Sequence, residues 1–145
     1  MCGITGFVSL NSCDETIISK MTNTLYARGP DHQSYWTENS GSISLGHTRL
    51  SILELSRYGN QPMISLNKRF VISFNGEIYN HIDIRNNLNQ KANLKWKGTS
   101  DTETILESFS LIGIEETLKM INGMFAFALF DRQEKKIFLA RDRLG

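Results

Sequence analysis

The chain opens MCGITGF, so removal of a single residue would make Cys2 the first. Methionine ahead of a small residue is the arrangement that methionine removal favours, and Cys2 would then carry both a thiol and a free α-amine. That amine titrates near pH ~8, far below lysine, so it can take the thiol proton directly or through a water. Nucleophile and base would then share one residue, and no histidine would be needed. The alternative is structural, because a cysteine near a terminus is often a small, inert hydrophobe. His32, His47 and His81 lie in polar or turn-like contexts and are assigned no chemistry.

FNGEIYNH carries two readings. Asn75 and Gly76 between alternating apolar residues signal a hairpin turn. They also suit an oxyanion formed when a thiolate attacks an amide carbonyl, offering a side-chain amide and a backbone N–H with no Cβ in the way. Glu77 beside them could receive a cationic group. In GHTRLSI, Arg49 ends a strand, either solvated or with its planar fork placed for a carboxylate. Asp101 suits the first turn of a helix, where an acid offsets the macrodipole. ARGPDHQ reads as a turn, with Pro30 fixing φ and Asp31 forming a local Asx bond. Metal-ligand spacing and a phosphate-binding G-x-x-x-x-G-K-[ST] loop are both absent.

Several elements must position these groups. ITGFVSL reads as a short buried strand. TIISKMTNTLYA places Ile17, Ile18, Met21 and Leu25 on one helical face, with Gly29 and Pro30 as stop signals. Strands are expected in SISLGHTRLSI and in RFVISFN, where Val71 and Ser73 face one way and Ile72 and Phe74 the other. Ser100 and Glu103 fit a capping box that starts a second helix with Ile105, Leu106, Phe109 and Ile112 as its apolar stripe. GMFAFALFD is apolar on both faces, as in a central strand covered from both sides, and RQEKK turns it back into IFLARD.

The composition bounds the rest. At 145 residues, 40% hydrophobic and 21% charged, the chain suits one packed domain and shows no repeat or linker. A net charge of +1 without a basic block argues against nucleic acid as a partner. No apolar run approaches a membrane span and no signal peptide opens the chain, so the cytoplasm is the expected compartment. Cys2 and Cys13 are expected to be free thiols.

MCGITGF, RGPD, GHTRLSI, FNGEIYNH, TSDTETIL, GMFAFALFD and ARDRLG together resemble, in order, the glutaminase domain of class II glutamine amidotransferases. The branch resembled is glutamine-hydrolysing asparagine synthetase. The resemblance covers residues 1–145 and implies an α+β, N-terminal-nucleophile hydrolase fold: a four-layer αββα sandwich of two mostly antiparallel sheets. It implies Cys2 as the nucleophile that forms a glutamyl thioester from L-glutamine. Asn75 and Gly76 match the oxyanion hole. Arg49 matches the residue holding the α-carboxylate, in a binding stretch continuing through Leu50, Ser51, Ile52 and Leu53, while Glu77 and Asp101 match groups facing the α-ammonium. Members of this branch continue into further glutaminase strands and an ATP-using synthetase domain that receives the ammonia. No SGGxDS-like pyrophosphate loop occurs here, so ATP and Mg are expected only in that other domain and no cofactor on this chain. The expectation is therefore a fragment or reduced product, with an incomplete sheet edge after ARDRLG. Aspartate is the expected ammonia acceptor; a sugar acid of surface-polysaccharide synthesis, or a non-catalytic module that binds glutamine or a partner, are the alternatives.

Overall fold

The computed structural model describes residues 1–11 and 14–145. Cys13 lies outside them; Cys2 is a free thiol. β1 (Gly3–Val8), β2 (His32–Thr37) and β3 (Ile43–Arg49) form one antiparallel sheet in the order β1-β3-β2. β4 (Met63–Ile64), β5 (Phe70–Ile78), β6 (Gly123–Asp131) and β7 (Lys136–Arg141) form a second, in that order. The helices are α1 (Glu15–Asn23), α2 (His81–Lys91), α3 (Asp101–Ile112) and α4 (Ile114–Met120).

Side-chain alternation explains the layers. Because successive strand residues point to opposite faces, β5 sends Phe70, Ile72, Phe74 and Ile78 into one core with Phe127 and Leu129 of β6. That core is closed by Ile84 and Leu88 of α2 and by Ile105, Leu106 and Phe109 of α3. Val71 faces the other way and joins Ala128, Phe130 and Leu45 between the two sheets, with Trp36 packed against them. On the outer side of the first sheet, α1 rests Ile18 and Thr22 on Gly46, where an added Cβ would lie 2.1 Å from Thr22 Oγ1. The result is helix, sheet, sheet, helices.

Several sequence expectations are met and others corrected. Val71 and Ser73 face the first sheet and Ile72 and Phe74 the helices, as alternation predicts, and β6 is the central strand expected of GMFAFALFD. ITGFVSL, however, forms an edge strand with Val8 63% exposed, since only β3 pairs with it. The first helix stops at Asn23, and Leu25 precedes a 3-10 turn over Tyr26–Arg28, so Gly29 and Pro30 lie beyond its end; Ile17 faces outward. Asp31 accepts the N–H of Ser51 at 2.7 Å, a bond across the fold in place of a local one. At α3, Ser100 Oγ accepts the Glu103 N–H at 3.1 Å, but the Glu103 carboxylate turns to the N–H groups of Lys97 and Gly98 and to Arg85. Residues 101–109 of α3 are buried on every side, not along one stripe, because α2, α4 and β5 all pack against it. Asn75–Gly76 is no turn: β5 runs through it, paired with Ala126 and Phe125.

Polar bonds also join the sheets. Ser73 Oγ donates to Gly46 O at 2.9 Å, and His47, fully buried, donates from Nε2 to Phe74 O at 3.0 Å. Burial lowers the His47 pKa from 6.5 to about 4, with the charge of Arg49 acting in the same direction. The unfolded chain therefore binds a proton here that the folded one does not, between those two values. Stability referable to His47 should be full above pH 6.5 and fall as pH drops towards 4, by about 3 kcal/mol. Denaturant unfolding at pH 7 and pH ~4 should show that loss in the parent protein and a correspondingly smaller one in His47→Gln. Equal losses in both would show that His47 does not titrate in this way.

Candidate active site

Cys2 stands one residue ahead of β1, and Leu50 one residue beyond β3, so the β1:β3 ladder brings them together. The Leu50 N–H donates to Cys2 Sγ at 3.3 Å and the thiol faces Leu50 O at 3.6 Å. Arg28, from the RGPD segment, holds the Cys2 carbonyl through Nε at 3.1 Å. Cys2, Arg49, Leu50, Ile52, Leu53, Asn75, Gly76, Glu77 and Asp101 all line one cleft, which Met1 and Met124 also border. Of the site residues implied by the resemblance, Ser51 alone is outside it, its N–H bound to Asp31.

β5 supplies the cleft's floor. In an antiparallel pair, alternate residues bond to the neighbour and the intervening ones point their backbone groups away. Phe125 exchanges its N–H and C=O with Asp142 on its far side, so it is not the hydrogen-bonding partner of Gly76 opposite it. Phe74, Gly76 and Ile78 accordingly aim their backbone groups at the edge that β4, pairing only with Val71 and Ile72, leaves open. Gln61 Oε1 accepts the Phe74 N–H at 2.6 Å, and Asp101 Oδ2 accepts the Ile78 N–H at 2.9 Å. Gly76, between them, has no such partner among the described residues. Its φ of 154° and the closeness of β6 both require glycine: a Cβ would lie 2.2 Å from Met124 O.

Asn75 and Glu77 project from the opposite face of β5, towards the first sheet. Neither side chain has a hydrogen-bond or ion-pair partner among the described residues. Asp101 differs, since Oδ1 also accepts the Thr102 N–H at 2.7 Å; burial raises its pKa, and these N–H groups oppose the rise. Arg49 is buried against Gly59, with Nη1 donating to Ser56 O at 2.8 Å and Asn60 Oδ1 at 2.7 Å and Nη2 to Glu54 O. Three of its five N–H donors are thus spent on the loop after β3, leaving two for a ligand. Glu54 fastens that loop to the start of α3: the N–H groups of Thr99 and Ser56 lower its pKa to about 2.

Sequence reasoning passed over Arg28, Glu54 and Gln61, whose contacts are distant in the chain. RGPD did contain Arg28, but only its turn chemistry was readable. Among the described residues, no group of three or more His, Cys, Asp or Glu side chains could hold a metal ion, and no helix is long and apolar enough to cross a membrane.

A family model described as a glutamine amidotransferase domain matches residues 1–145. The chain belongs to this family. As a glutamine amidotransferase domain it is 38% identical over 150 residues to asparagine synthetase [glutamine-hydrolyzing] 3 of Bacillus subtilis, covering 100% of this chain and 24% of that protein. It is 34% identical over 148 residues to asparagine synthetase [glutamine-hydrolyzing] 2 of Oryza sativa subsp. japonica, again covering 100% of this chain and 24% of the relative. The chain thus spans about a quarter of the length of these relatives. Among solved structures, the glutamine phosphoribosylpyrophosphate amidotransferase of B. subtilis superposes with a TM-score of 0.75 at 17% identity, over 98% of this chain and 37% of that one. The fold is the N-terminal-nucleophile hydrolase sandwich.

In this glutamine amidotransferase domain, Gly76→Ala should destabilise by about 2 kcal/mol or more, from backbone strain and collision with β6 together. Gly113→Ala is the control, since Gly113 has φ 93° but open space around it; it should cost about 1 kcal/mol from the backbone alone. Denaturant unfolding of both variants measures the difference, and equal costs would remove the close-approach argument.

Proposed function

We propose that residues 1–145 form a glutaminase domain that hydrolyses L-glutamine to glutamate and ammonia through a thioester on Cys2. The Sγ thiolate attacks the side-chain carbonyl, forming the C–S bond and placing negative charge on oxygen. Asn75 and the Gly76 N–H receive that oxyanion. Collapse breaks the C–N bond, the departing nitrogen takes a proton and leaves as ammonia, and water then cleaves the thioester to glutamate. With Met1 removed, the Cys2 α-amine is the base that takes the thiol proton and returns it to the leaving nitrogen. The Leu50 N–H at 3.3 Å remains as a donor to the sulfur.

The observation that carries this reading is the pairing of the Asn75 carboxamide with the Gly76 N–H, both without a partner among the described residues, in the cleft that holds the thiol. Arg49, through its two remaining donors, takes the substrate α-carboxylate, while Glu77 and Asp101 take the α-ammonium. An ammonium beside Asp101 would offset the desolvation that raises its pKa. This chemistry calls for no cofactor or metal. The ammonia would pass to a synthetase domain or chain that activates an acceptor, aspartate first among the candidates, with ATP and Mg acting there; the cytoplasm is the matching compartment.

Cys2→Ala should abolish ammonia release from glutamine while leaving the unfolding transition in place. Asn75→Ala should lower kcat by about 10²- to 10³-fold, whereas Arg49→Lys should chiefly raise KM, since lysine keeps the charge and loses the fork. Ammonia release measured across a glutamine series separates these effects. Hydrolysis by Cys2→Ala, in a preparation free of other glutaminases, would end the proposal.

A further inference from the structure

We propose that Gln61 and His47 are positioning residues that fix the Asn75–Gly76 segment in its oxyanion-binding geometry; this rests on the glutaminase reading of the cleft. β4 begins only at Met63, opposite Ile72, so the next edge-facing position of β5, Phe74, has no strand beside it. Two buried side chains take the strand's place. Gln61 Oε1 accepts the Phe74 N–H at 2.6 Å, and His47 Nε2 donates to the Phe74 carbonyl at 3.0 Å. The first bond grips the peptide plane between Ser73 and Phe74, and the second grips the plane between Phe74 and Asn75. Since the second plane includes the Asn75 nitrogen, its tilt sets the direction from which the Asn75 carboxamide departs.

Gln61 is itself anchored. Its Nε2 lies 3.4 Å from Thr102 Oγ1, and its carbonyl accepts the Ser34 hydroxyl. His47 comes from β3, so one grip originates in each of two separate segments. On the far side of Gly76, Asp101 grips the Ile78 N–H at 2.9 Å. Gly76 has no Cβ to limit its own rotation, so the orientation of its N–H is imposed by the clamped residues two positions either side. An oxyanion donor is useful only when it is aligned before charge develops. Gln61, at the border of the cleft, and His47, behind it, supply that alignment through the Phe74 backbone.

Gln61→Met keeps length and apolar bulk but removes the acceptor; His47→Leu removes the donor, and His47→Gln restores an amide N–H. The expected result is a fall in kcat for glutamine hydrolysis of about tenfold or more in Gln61→Met and His47→Leu, with KM within about twofold and most of the loss recovered in His47→Gln. A uniform loosening of the fold would instead raise KM along with the fall in kcat. Hydrogen exchange in the unsubstituted protein supplies a second readout that needs no variant to fold: the Phe74 amide should be protected like that of Ile72. Unchanged kcat in Gln61→Met and His47→Leu, with Cys2→Ala inactive, would overturn this inference and leave the glutaminase reading standing. So would a Phe74 amide exchanging as fast as those of the exposed loop 52–58. Hydrolysis that survives Cys2→Ala would overturn both.

Discussion

A strand that outruns its neighbour leaves N–H and C=O groups without partners, and burial makes each of them costly. β5 outruns β4 after Ile72, and its remaining edge is closed by side chains: Gln61 and His47 at Phe74, Asp101 at Ile78. The position left open among the described residues is Gly76. An extended strand with a gap of one residue in its edge is a rigid way to present a single N–H, because both flanks are held and the back of the strand is paired along β6. The segment before β4, the start of α3 and β3 each contribute one side chain to that edge: Gln61, Asp101 and His47.

The two kinds of contact between the sheets divide the work. Away from the cleft, Leu45, Val71, Ala128 and Phe130 bury apolar surface, which holds the layers together but sets no direction. Near the cleft the contacts are directional: Ser73 to Gly46, His47 to Phe74, Ser34 to Gln61. A buried histidine needs its neutral form to fit there, and burial supplies it by lowering the His47 pKa. The same fully buried side chain that costs stability in acid therefore ties one sheet to the other at Phe74.

Where the sequence was legible, a periodicity of one element sufficed. β5 and β6 alternate between two buried faces, so their apolar runs announced strands, a central one in β6, and Ser100 marked the start of α3. α2 was not readable because only Ile84 and Leu88 of its eleven residues are buried, too few to stand out among its polar neighbours. Asn75–Gly76 misled because turn preference is local, whereas the ladder with β6 spans nine residues of each strand and overrides it. Cys2, Asn75, Gly76 and Glu77 could be singled out by residue type and resemblance. Gln61 and Arg28 could not: Gln61 acts 13 and 41 residues away and Arg28 acts 26 residues away, distances over which no local pattern connects them.

The cleft residues also show why a bland and a functional reading need not compete. Arg49 spends three donors on the wall of the cleft and keeps two, so its position at the cleft is set by its own structural bonds. Asp101 starts α3, seals the β5 edge through Ile78 and still borders the cleft. Asn75 and Glu77 are different: among the described residues neither side chain has a partner, so the path of β5 directs them. Precision in such groups has to be built into the backbone that carries them. The buried side chains closing the β5 edge are therefore as much a part of the chemistry's geometry as the groups that would meet the substrate.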